Sequence, residues 1–163
     1  MFDKVNLKIK KALTTDIPVI VNIHKECVSN TNSTDYTVDS IKEWLHQISE
    51  KNVLDQFETT LWYLIKTRND IIGFCQYSIE NKELYQIQIS PVYQQKGYGK
   101  ILYKFIESDF RKNKIEKIKL NATLNAVGFY RKLGFNEIKH INFMLHKESL
   151  EMIEMEKDLS KNY

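Results

Sequence analysis

The segment Ser90-Pro91-Val92-Tyr93-Gln94-Gln95-Lys96-Gly97-Tyr98-Gly99-Lys100 decides the fold of this 163-residue chain. Apolar and polar residues alternate in Leu84–Ile89 before it, which predicts a strand. Apolar residues then recur at helical spacing after it: Ile101, Leu102, Phe105, Ile106 and Phe110. The glycines permit a tight turn, and the unpaired amides of a helix N-terminus, with the nearby lysines, form a site for a phosphate or pyrophosphate.

Two common phosphate-binding motifs do not fit this spacing. A P-loop requires a glycine where this chain has Gln94, and Ser or Thr where it has Ile101. A dinucleotide fingerprint requires a third glycine where the chain has Leu102. The pattern that remains is Q-x-x-G-x-G between a strand and a helix, which by itself fits a structural turn as well as a ligand site.

A second motif follows downstream, where Asn125 precedes the run Phe-Tyr-Arg-Lys-Leu-Gly-Phe at residues 129–135. Together with Q-x-x-G-x-G, it resembles the GCN5-related N-acetyltransferases (GNAT family), whose later signature is an Asn followed by F-Y-x-K-x-G-F. The order of predicted elements matches that family too. The chain is therefore identified as a member, strongly over about Glu83 to Phe135 and weakly before residue 58.

The rest of the sequence predicts an α+β fold around a mixed sheet. Val5–Lys11 is predicted as a strand, followed by a helix from Ile17, an Asn/Ser/Thr-rich loop over residues 29–36 and a helix capped by Thr37. Three antiparallel strands, a long helix, a parallel strand at Lys117–Leu120, a short helix and two strands follow. The resemblance implies the GNAT (acyl-CoA N-acyltransferase) fold, with six to seven mostly antiparallel strands, splayed parallel strands 4 and 5, and about four helices. Residues 1–163 are assigned to a single domain.

Composition and charge narrow the function classes. The chain is 42% apolar and 28% charged, which is typical of globular proteins, and its formal charge of +3 is too small to favour a nucleic-acid partner. No signal-peptide core or membrane-spanning apolar run is present, so a soluble cytoplasmic protein without a membrane partner is predicted. Cys27, Cys75 and the four histidines show no metal-ligand spacing, so we expect reduced thiols and no metal. The sequence leaves a homodimer open.

The resemblance implies that acetyl-CoA is the acyl donor. Its pantetheine arm would lie between the splayed strands against the edge formed by Ile87, Gln88 and Ile89. The loop expected to hold the pyrophosphate consists of Gln94, Gln95, Lys96, Gly97, Tyr98, Gly99 and Lys100. The Ile87 amide would stabilise charge on the thioester oxygen, and Asn125 would contact the cofactor.

Two side chains are candidates for proton transfer. Tyr130 matches the family's tyrosine that points at the cofactor sulfur, and a phenol can protonate a thiolate; the alternative is a purely structural core aromatic. Glu83 is the candidate base, at the position where histone-type members carry a glutamate, and strand alternation predicts it on the face of Tyr85 and Ile87. The alternative is a solvated turn acid, with bulk water as the base.

The predicted acceptor is a small primary amine, acetylated directly in a ternary complex. Asp35, Asp39 and Glu43 would favour a cationic amine if they faced the cleft. A route through an acetylated Cys75 is set aside, because a cysteine in an apolar strand is usually a buried thiol. The alternatives are a protein lysine or N-terminal acetyltransferase, a non-catalytic acetyl-CoA-binding regulatory domain, and a nucleic-acid-binding protein that uses the basic run 111–119.

Overall fold

The computed structural model describes residues 6–160. The seven strands of this part of the chain form one sheet in the order β1-β2-β3-β4-β5-β7-β6. The strands are β1 (Lys8–Lys11), β2 (Leu61–Lys66), β3 (Ile71–Ser78), β4 (Glu83–Ile89), β5 (Lys117–Thr123), β6 (Asn136–Met144) and β7 (Ser149–Asp158). The α-helices of the described residues are α1 (Ile17–Cys27), α2 (Val38–Gln47), α3 (Glu50–Phe57), α4 (Tyr98–Lys112) and α5 (Val127–Lys132). The predicted α+β architecture around a mixed sheet is confirmed.

One predicted helix start agrees with the structure, and two predicted strand ends differ from it. The Thr37 hydroxyl accepts a hydrogen bond from the Ser40 amide at 3.1 Å and caps α2, as predicted. The predicted first strand is shorter than expected and begins at Lys8, and its Val5 lies outside the described residues. β5 continues past its predicted end to Thr123, because it pairs with β7 along its whole length.

Two helical segments are not predicted by the sequence. The helix α3 is capped by Ser49, whose hydroxyl accepts from the Asn52 amide at 3.1 Å, but Val53 is its one buried residue, so it carries no clear apolar stripe. The segment predicted as a loop begins with a π-helical turn at Val28–Asn32 that continues α1. Single π-helical turns of this kind often occur at functional sites.

Apolar side chains fill both faces of the sheet. The face covered by α4 buries Leu102, Ile106 and Phe110 against β3, β4 and β5, and the face covered by α1–α3 buries a second cluster. The Cys75 thiol lies fully inside the first cluster, where burial raises its pKa far above the usual range. A buried, protonated thiol fits the expectation that Cys75 carries no acetyl group.

Strands β4 and β5 pair only at their beginning. In the described chain, the single register pair between them joins Glu83 and Lys119, and the Lys119 amide donates to the Lys82 carbonyl at 3.1 Å. Each strand keeps its other neighbour, β3 or β7, along its length. The two parallel strands therefore separate into a V, as the resemblance implied.

A β-bulge in β4 changes which side chains share a face. The register pairs Gln76 with Gln86 but Tyr77 with Leu84, so Tyr85 is an extra residue in β4. An extra residue reverses the alternation of side chains on the two sides of the bulge. Residues of β4 before Tyr85 therefore lie on the opposite face from the one that simple alternation predicts.

The bulge places Glu83 on the face of Gln86. Glu83 pairs with Ser78, which lies two residues from Gln76 on the same face of β3. Ile87 packs instead with the core on the α4 side. The prediction that Glu83 shares a face with Ile87 is therefore wrong, because nothing in the sequence marks the bulge.

Candidate active site

A cleft of about 750 Å³, the donor cleft, lies between β4, β5, α5 and the loop after β4. Its lining includes almost every predicted donor-binding residue: Ile87, Gln88, Ile89, Gln94, Gln95, Gly97, Tyr98, Gly99, Lys100, Asn125 and Tyr130. Lys96 is the exception, because its Nζ lies 5.9 Å above the Tyr93 ring and outside the lining. The structure thus brings together predicted donor-binding residues that are far apart in the sequence. Ile87 and Tyr130, for example, are separated by 43 positions.

The loop before α4 presents a row of unpaired backbone amides. The Gln94 amide donates to Pro91 O and the Ile101 amide to Gly97 O, both at 3.2 Å, but the amides of residues 95–100 have no acceptor within the described chain. Gln95 and Gly97 have left-handed backbones, with φ of 60° and 87°. Such a run at a helix N-terminus is typical of an anion-binding nest, and it fits a pyrophosphate.

Gln94 anchors this loop through its side chain. Its Nε2 donates to the Ile89 carbonyl at 2.9 Å and to Thr31 Oγ1 at 3.0 Å. The Cys27 thiol also donates to the Ile89 carbonyl, at 3.1 Å. Both the amide and the side chain of Gln94 are therefore engaged within the protein, and they fix the start of the loop whose following amides are free of acceptors in the described chain.

Tyr130 is both a packed aromatic and a cleft residue. Its ring centroid lies 5.0 Å from that of Phe129 and 5.6 Å from that of Phe135, and the residue is 7% exposed. Its hydroxyl has no hydrogen-bond partner among the described residues and borders the donor cleft. Burial raises the pKa of Tyr130, so the phenol is protonated at neutral pH and holds a proton that it can donate.

Two asparagines border the same cleft. Asn125 lies in the 3₁₀ turn Leu124–Ala126, and its side chain caps neither that turn nor α5. Asn32, at the end of the π-helical turn, is 6% exposed, and its side chain has no hydrogen-bond partner within residues 6–160. No sequence signal distinguishes Asn32, because it stands in a run of Asn, Ser and Thr that is typical of a loop.

The chain around the π-helical turn bridges the open end of the V. On the β4 side, Thr31 is joined to Gln94. On the β5 side, the Tyr36 hydroxyl accepts from the Leu124 amide at 3.1 Å and donates to the Glu151 carbonyl at 2.7 Å. These contacts hold Asn32 between the two strands, next to the donor cleft.

A second cavity of about 380 Å³ lies on the other face of the sheet, between α1–α3 and the β6–β7 hairpin. It shares five lining residues with the donor cleft: Tyr85, Gln86, Gln88, Asn121 and Thr123. These residues belong to β4 and β5. The two cavities therefore meet between the splayed strands, where a donor from one side and an acceptor from the other can react.

Glu83 lines the second cavity and not the donor cleft. Burial raises the pKa of its carboxyl, and Lys119, whose Nζ is 3.9 Å from Glu83 Oε2, opposes this shift. Ile87 lies beyond the bulge in β4, and the β3 partners of the two residues, Ser78 and Cys75, are three residues apart, a rise of roughly 10 Å at about 3.3 Å per residue. A proton can reach Glu83 from an amine near Ile87 only through intervening water.

The other acids predicted to attract a cation do not line either cavity. Glu43 accepts hydrogen bonds from the backbone amides of Lys147 and Glu148 and so holds the β6–β7 connection. Asp35 and Asp39 are likewise absent from the lining residues. Trp44, which the sequence leaves between core and site, is 9% exposed and lines the second cavity.

Two features of the described residues concern the predicted absence of a membrane partner and of a metal. None of their helices is long and apolar enough to cross a membrane. No group of three or more His, Cys, Asp and Glu side chains among them could hold a metal ion. The absence of a metal stays a prediction.

Residues 32–159 match the sequence profile of the acetyltransferase (GNAT) domain. The protein YyaT of Bacillus subtilis is 28% identical over 121 residues, which cover 71% of this chain and 80% of that protein. The N-acetyltransferase OB1458 of Oceanobacillus iheyensis is 27% identical over 126 residues, 69% of this chain and 68% of that protein. The [ribosomal protein bS18]-alanine N-acetyltransferase of Haemophilus influenzae is 35% identical over 74 residues, 43% of this chain and 51% of that protein.

Solved structures share the fold over nearly the whole chain. A GCN5-related N-acetyltransferase from Rhodopseudomonas palustris superimposes with a TM-score of 0.89 at 17% identity, covering 98% of this chain and 99% of that one. The PaiA N-acetyltransferase of Thermoplasma acidophilum, solved in complex with coenzyme A, gives a TM-score of 0.78 at 23% identity, covering 94% and 99%. The fold implied by the sequence resemblance is confirmed.

Proposed function

The chain belongs to the GNAT acetyltransferase family, and from this premise we propose that it transfers the acetyl group of acetyl-CoA directly to the primary amine of a small molecule. The observation that carries the proposal is the meeting of two cavities between β4 and β5, one bordered by free amides and one by polar side chains. Such an arrangement suits a ternary complex. The proposal includes a cytoplasmic location.

The donor cleft has the chemistry that acetyl-CoA requires. The free amides of residues 95–100 and the Lys100 side chain would bind the pyrophosphate, since unpaired N–H groups at a helix N-terminus favour anions. The edge of β4 at Ile87, Gln88 and Ile89 would hold the pantetheine arm, because β5 does not pair there. The Ile87 amide would then donate to the thioester oxygen as negative charge develops on it.

The proton transfers follow from the two cavities. The ammonium of the acceptor would lose a proton through water to Glu83. Its nitrogen lone pair would attack the thioester carbonyl carbon, so that a C–N bond forms and the C–S bond breaks. The Tyr130 hydroxyl would give its proton to the departing thiolate, and water would carry the second proton released by the acceptor nitrogen back to the tyrosinate. We propose Tyr130 and Glu83 in these roles because they border the donor cleft and the second cavity, respectively.

One observation favours a second candidate, acetylation of a protein N-terminus. The relative that acts on ribosomal protein bS18 is 35% identical over 74 residues. An extended peptide would need a long groove, however, and the second cavity has a volume of about 380 Å³, which suits a small amine. This geometry supports the small-molecule acceptor.

The basic run 111–119 offers little support for nucleic-acid binding, because three of its five basic residues have partners within the protein. The Arg111 guanidinium donates to the Leu159 carbonyl at 2.8 Å. Lys117 pairs with Glu156 at 3.5 Å, and Lys119 with Glu83. The proposed acetyl transfer does not require these basic residues to bind a polynucleotide.

The test combines binding with turnover. Calorimetry with acetyl-CoA, with CoA and with NAD as a control measures the donor site, and a thiol-release assay with small amines and with an N-terminal peptide measures transfer. We expect acetyl-CoA binding and thiol release with a small amine. Release with the peptide alone would favour the N-terminal acetyltransferase, and binding without release from any acceptor would favour a regulatory domain.

A further inference from the structure

The second cavity has an unusual charge balance for a site that receives an amine. Glu83 is the one acidic residue in its lining, and no Lys or Arg of the described chain lines it. The Glu83 carboxylate is already shared with Lys119, whose Nζ lies 3.9 Å away and outside the lining. A polyamine would bring further cations without anionic partners, and a free amino acid would bring a carboxylate without a cationic partner, so each would lose hydration without compensation.

The lining offers neutral hydrogen-bonding groups in place of charges. The Trp44 indole N–H, the His24 ring and the Gln47 side chain line the cavity and have no hydrogen-bond partner in the part of the chain that the structure describes. Burial lowers the pKa of His24 to about 4, so its imidazole is uncharged near pH 7. All three groups are therefore neutral and available to a ligand.

Four glutamines form a chain across the cavity wall. Gln88 Nε2 donates to Gln86 Oε1 at 3.3 Å, Gln86 Nε2 donates to Gln76 Oε1 at 2.9 Å, and Gln76 Nε2 donates to Gln56 Oε1 at 2.8 Å. The Gln88 amide keeps its Oε1 and its second N–H free of partners among the described residues, while Gln76 Nε2, which also donates to Thr60 Oγ1 at 3.1 Å, fixes the direction of the chain. Its end at the junction of the two cavities can therefore serve as a donor or as an acceptor to a hydroxyl or amide group.

We infer that the second cavity selects a monoamine with an uncharged polar body, such as an amino sugar or an amino-acid amide, over polyamines and free amino acids. The glutamine chain, Trp44 and His24 match the hydroxyl or amide groups, and Glu83, which is shared with Lys119, leaves no carboxylate in the described lining for a second ammonium. The inference rests on the proposed function, because it takes the second cavity as the acceptor site.

Binding can be measured without turnover, because both tryptophans of the chain, Trp44 and Trp62, line this cavity. The CoA-saturated protein is titrated with two matched sets of amines while intrinsic fluorescence is recorded. The first set is glucosamine and L-threoninamide, and the second is spermidine and L-threonine. We expect at least about tenfold tighter binding for the first set. Equal or tighter binding of spermidine or threonine overturns the inference, as does the lack of any fluorescence change with the first set.

A charge variant tests the cause of the selectivity. Gln86→Glu adds a second carboxylate where the two cavities meet, and Gln88 Nε2, which already donates to this side chain at 3.3 Å, can donate to it. Spermidine should then bind at least about fivefold tighter than it does to the unmodified protein. Asn69→Asp, on an exposed turn, adds the same charge outside the cavity and should leave the affinity unchanged. An equal gain in both variants overturns the assignment to this cavity.

The failure of this inference is distinguishable from the failure of the proposed function. Thiol release with spermidine at an efficiency equal to or above that with threoninamide would support the proposed acetyl transfer and contradict the inferred selectivity. Selective fluorescence binding of the first set, without thiol release from any amine, leaves the selectivity intact and removes the catalytic proposal.

Discussion

Lys119 and Glu83 oppose each other at the single position where β4 and β5 pair in the described chain, with Lys119 Nζ 3.9 Å from Glu83 Oε2. Burial raises the pKa of the carboxyl and the lysine lowers it. This ion pair lies where the V closes, and its carboxylate is the one acid in the lining of the second cavity. The lysine therefore adjusts the charge state of the proposed base.

The first prediction concerns Lys119→Met. Without the lysine, burial acts on Glu83 unopposed, so its pKa rises further and ionisation needs a higher pH. The acid limb of the kcat profile should move to higher pH, by a modest amount because solvent screens the half-exposed lysine. Lys117→Met, which breaks the ion pair with Glu156 instead, is the matched control and should leave the limb in place. An unchanged profile in both Lys119→Met and Glu83→Gln would assign the base to water.

The second prediction concerns the proposed acid. Tyr130→Phe removes the proton donor but keeps the ring that packs on Phe129 and Phe135, so kcat should fall by about 100-fold while the acetyl-CoA dissociation constant changes less than about twofold. Tyr103→Phe is the control, because its hydroxyl bonds Glu107 in the core, outside both cavities. Unchanged turnover in Tyr130→Phe would leave Tyr130 as a core aromatic only.

The donor cleft is predictable from sequence because its parts are local. The loop amides, Gly97 and the start of α4 come from consecutive residues, and Asn125 and Tyr130 come from one short motif. The conformation of these residues depends mostly on their near neighbours in the sequence. The spacing of residue types within each motif is therefore enough to predict this part of the site. The splay of β4 and β5 followed from the family resemblance and not from residue patterns.

The parts that sequence reasoning missed depend on distant contacts. The face of Glu83 is set by the bulge at Tyr85, which exists because of pairing with β3. The place of Asn32 depends on the bridge from Thr31 to Gln94, which lies 63 positions away. The second cavity is assembled from both ends of the chain, from His24 to Met152, and no local pattern reports such a site.

The third prediction concerns Gly97, whose φ of 87° is unfavourable for residues with a Cβ. A Cβ there meets nothing within 4 Å, so Gly97→Val should distort the loop without a clash and cost the fold only about 1–2 kcal/mol. Calorimetry should show loss of acetyl-CoA binding. Gly134→Ala at φ 98° is the control, since it bears similar backbone strain away from the donor cleft and should keep the affinity. Retained binding in Gly97→Val would remove the loop from the site.

The fourth prediction is a pH dependence of stability from His24. Burial lowers its folded pKa to about 4, below the unfolded value of about 6.5, so the unfolded state binds the extra proton first as the pH falls. The contribution of the neutral His24 side chain to the free energy of unfolding is fully present above about pH 6.5. It decreases as the pH falls toward 4, by at most about 3 kcal/mol. Urea unfolding at several pH values should show a smaller acid loss for His24→Gln than for the unmodified protein. Parallel curves for the two proteins would contradict the shift.

The last prediction concerns Asn32, which is 6% exposed and has no hydrogen-bond partner in the described chain. Because no fully buried side-chain polar atom of the described chain lacks a partner, the Asn32 amide reaches the cleft, and Asn32→Leu should change the unfolding temperature little. Because the side chain borders the donor cleft, the same variant should lose kcat/KM by roughly three- to tenfold, the value of one hydrogen bond. Asn30→Ala, on the exposed side of the same turn, should leave kcat/KM unchanged. Unchanged stability together with a fall in activity separates a ligand-binding asparagine from a structural one, since loss of a structural asparagine would lower both.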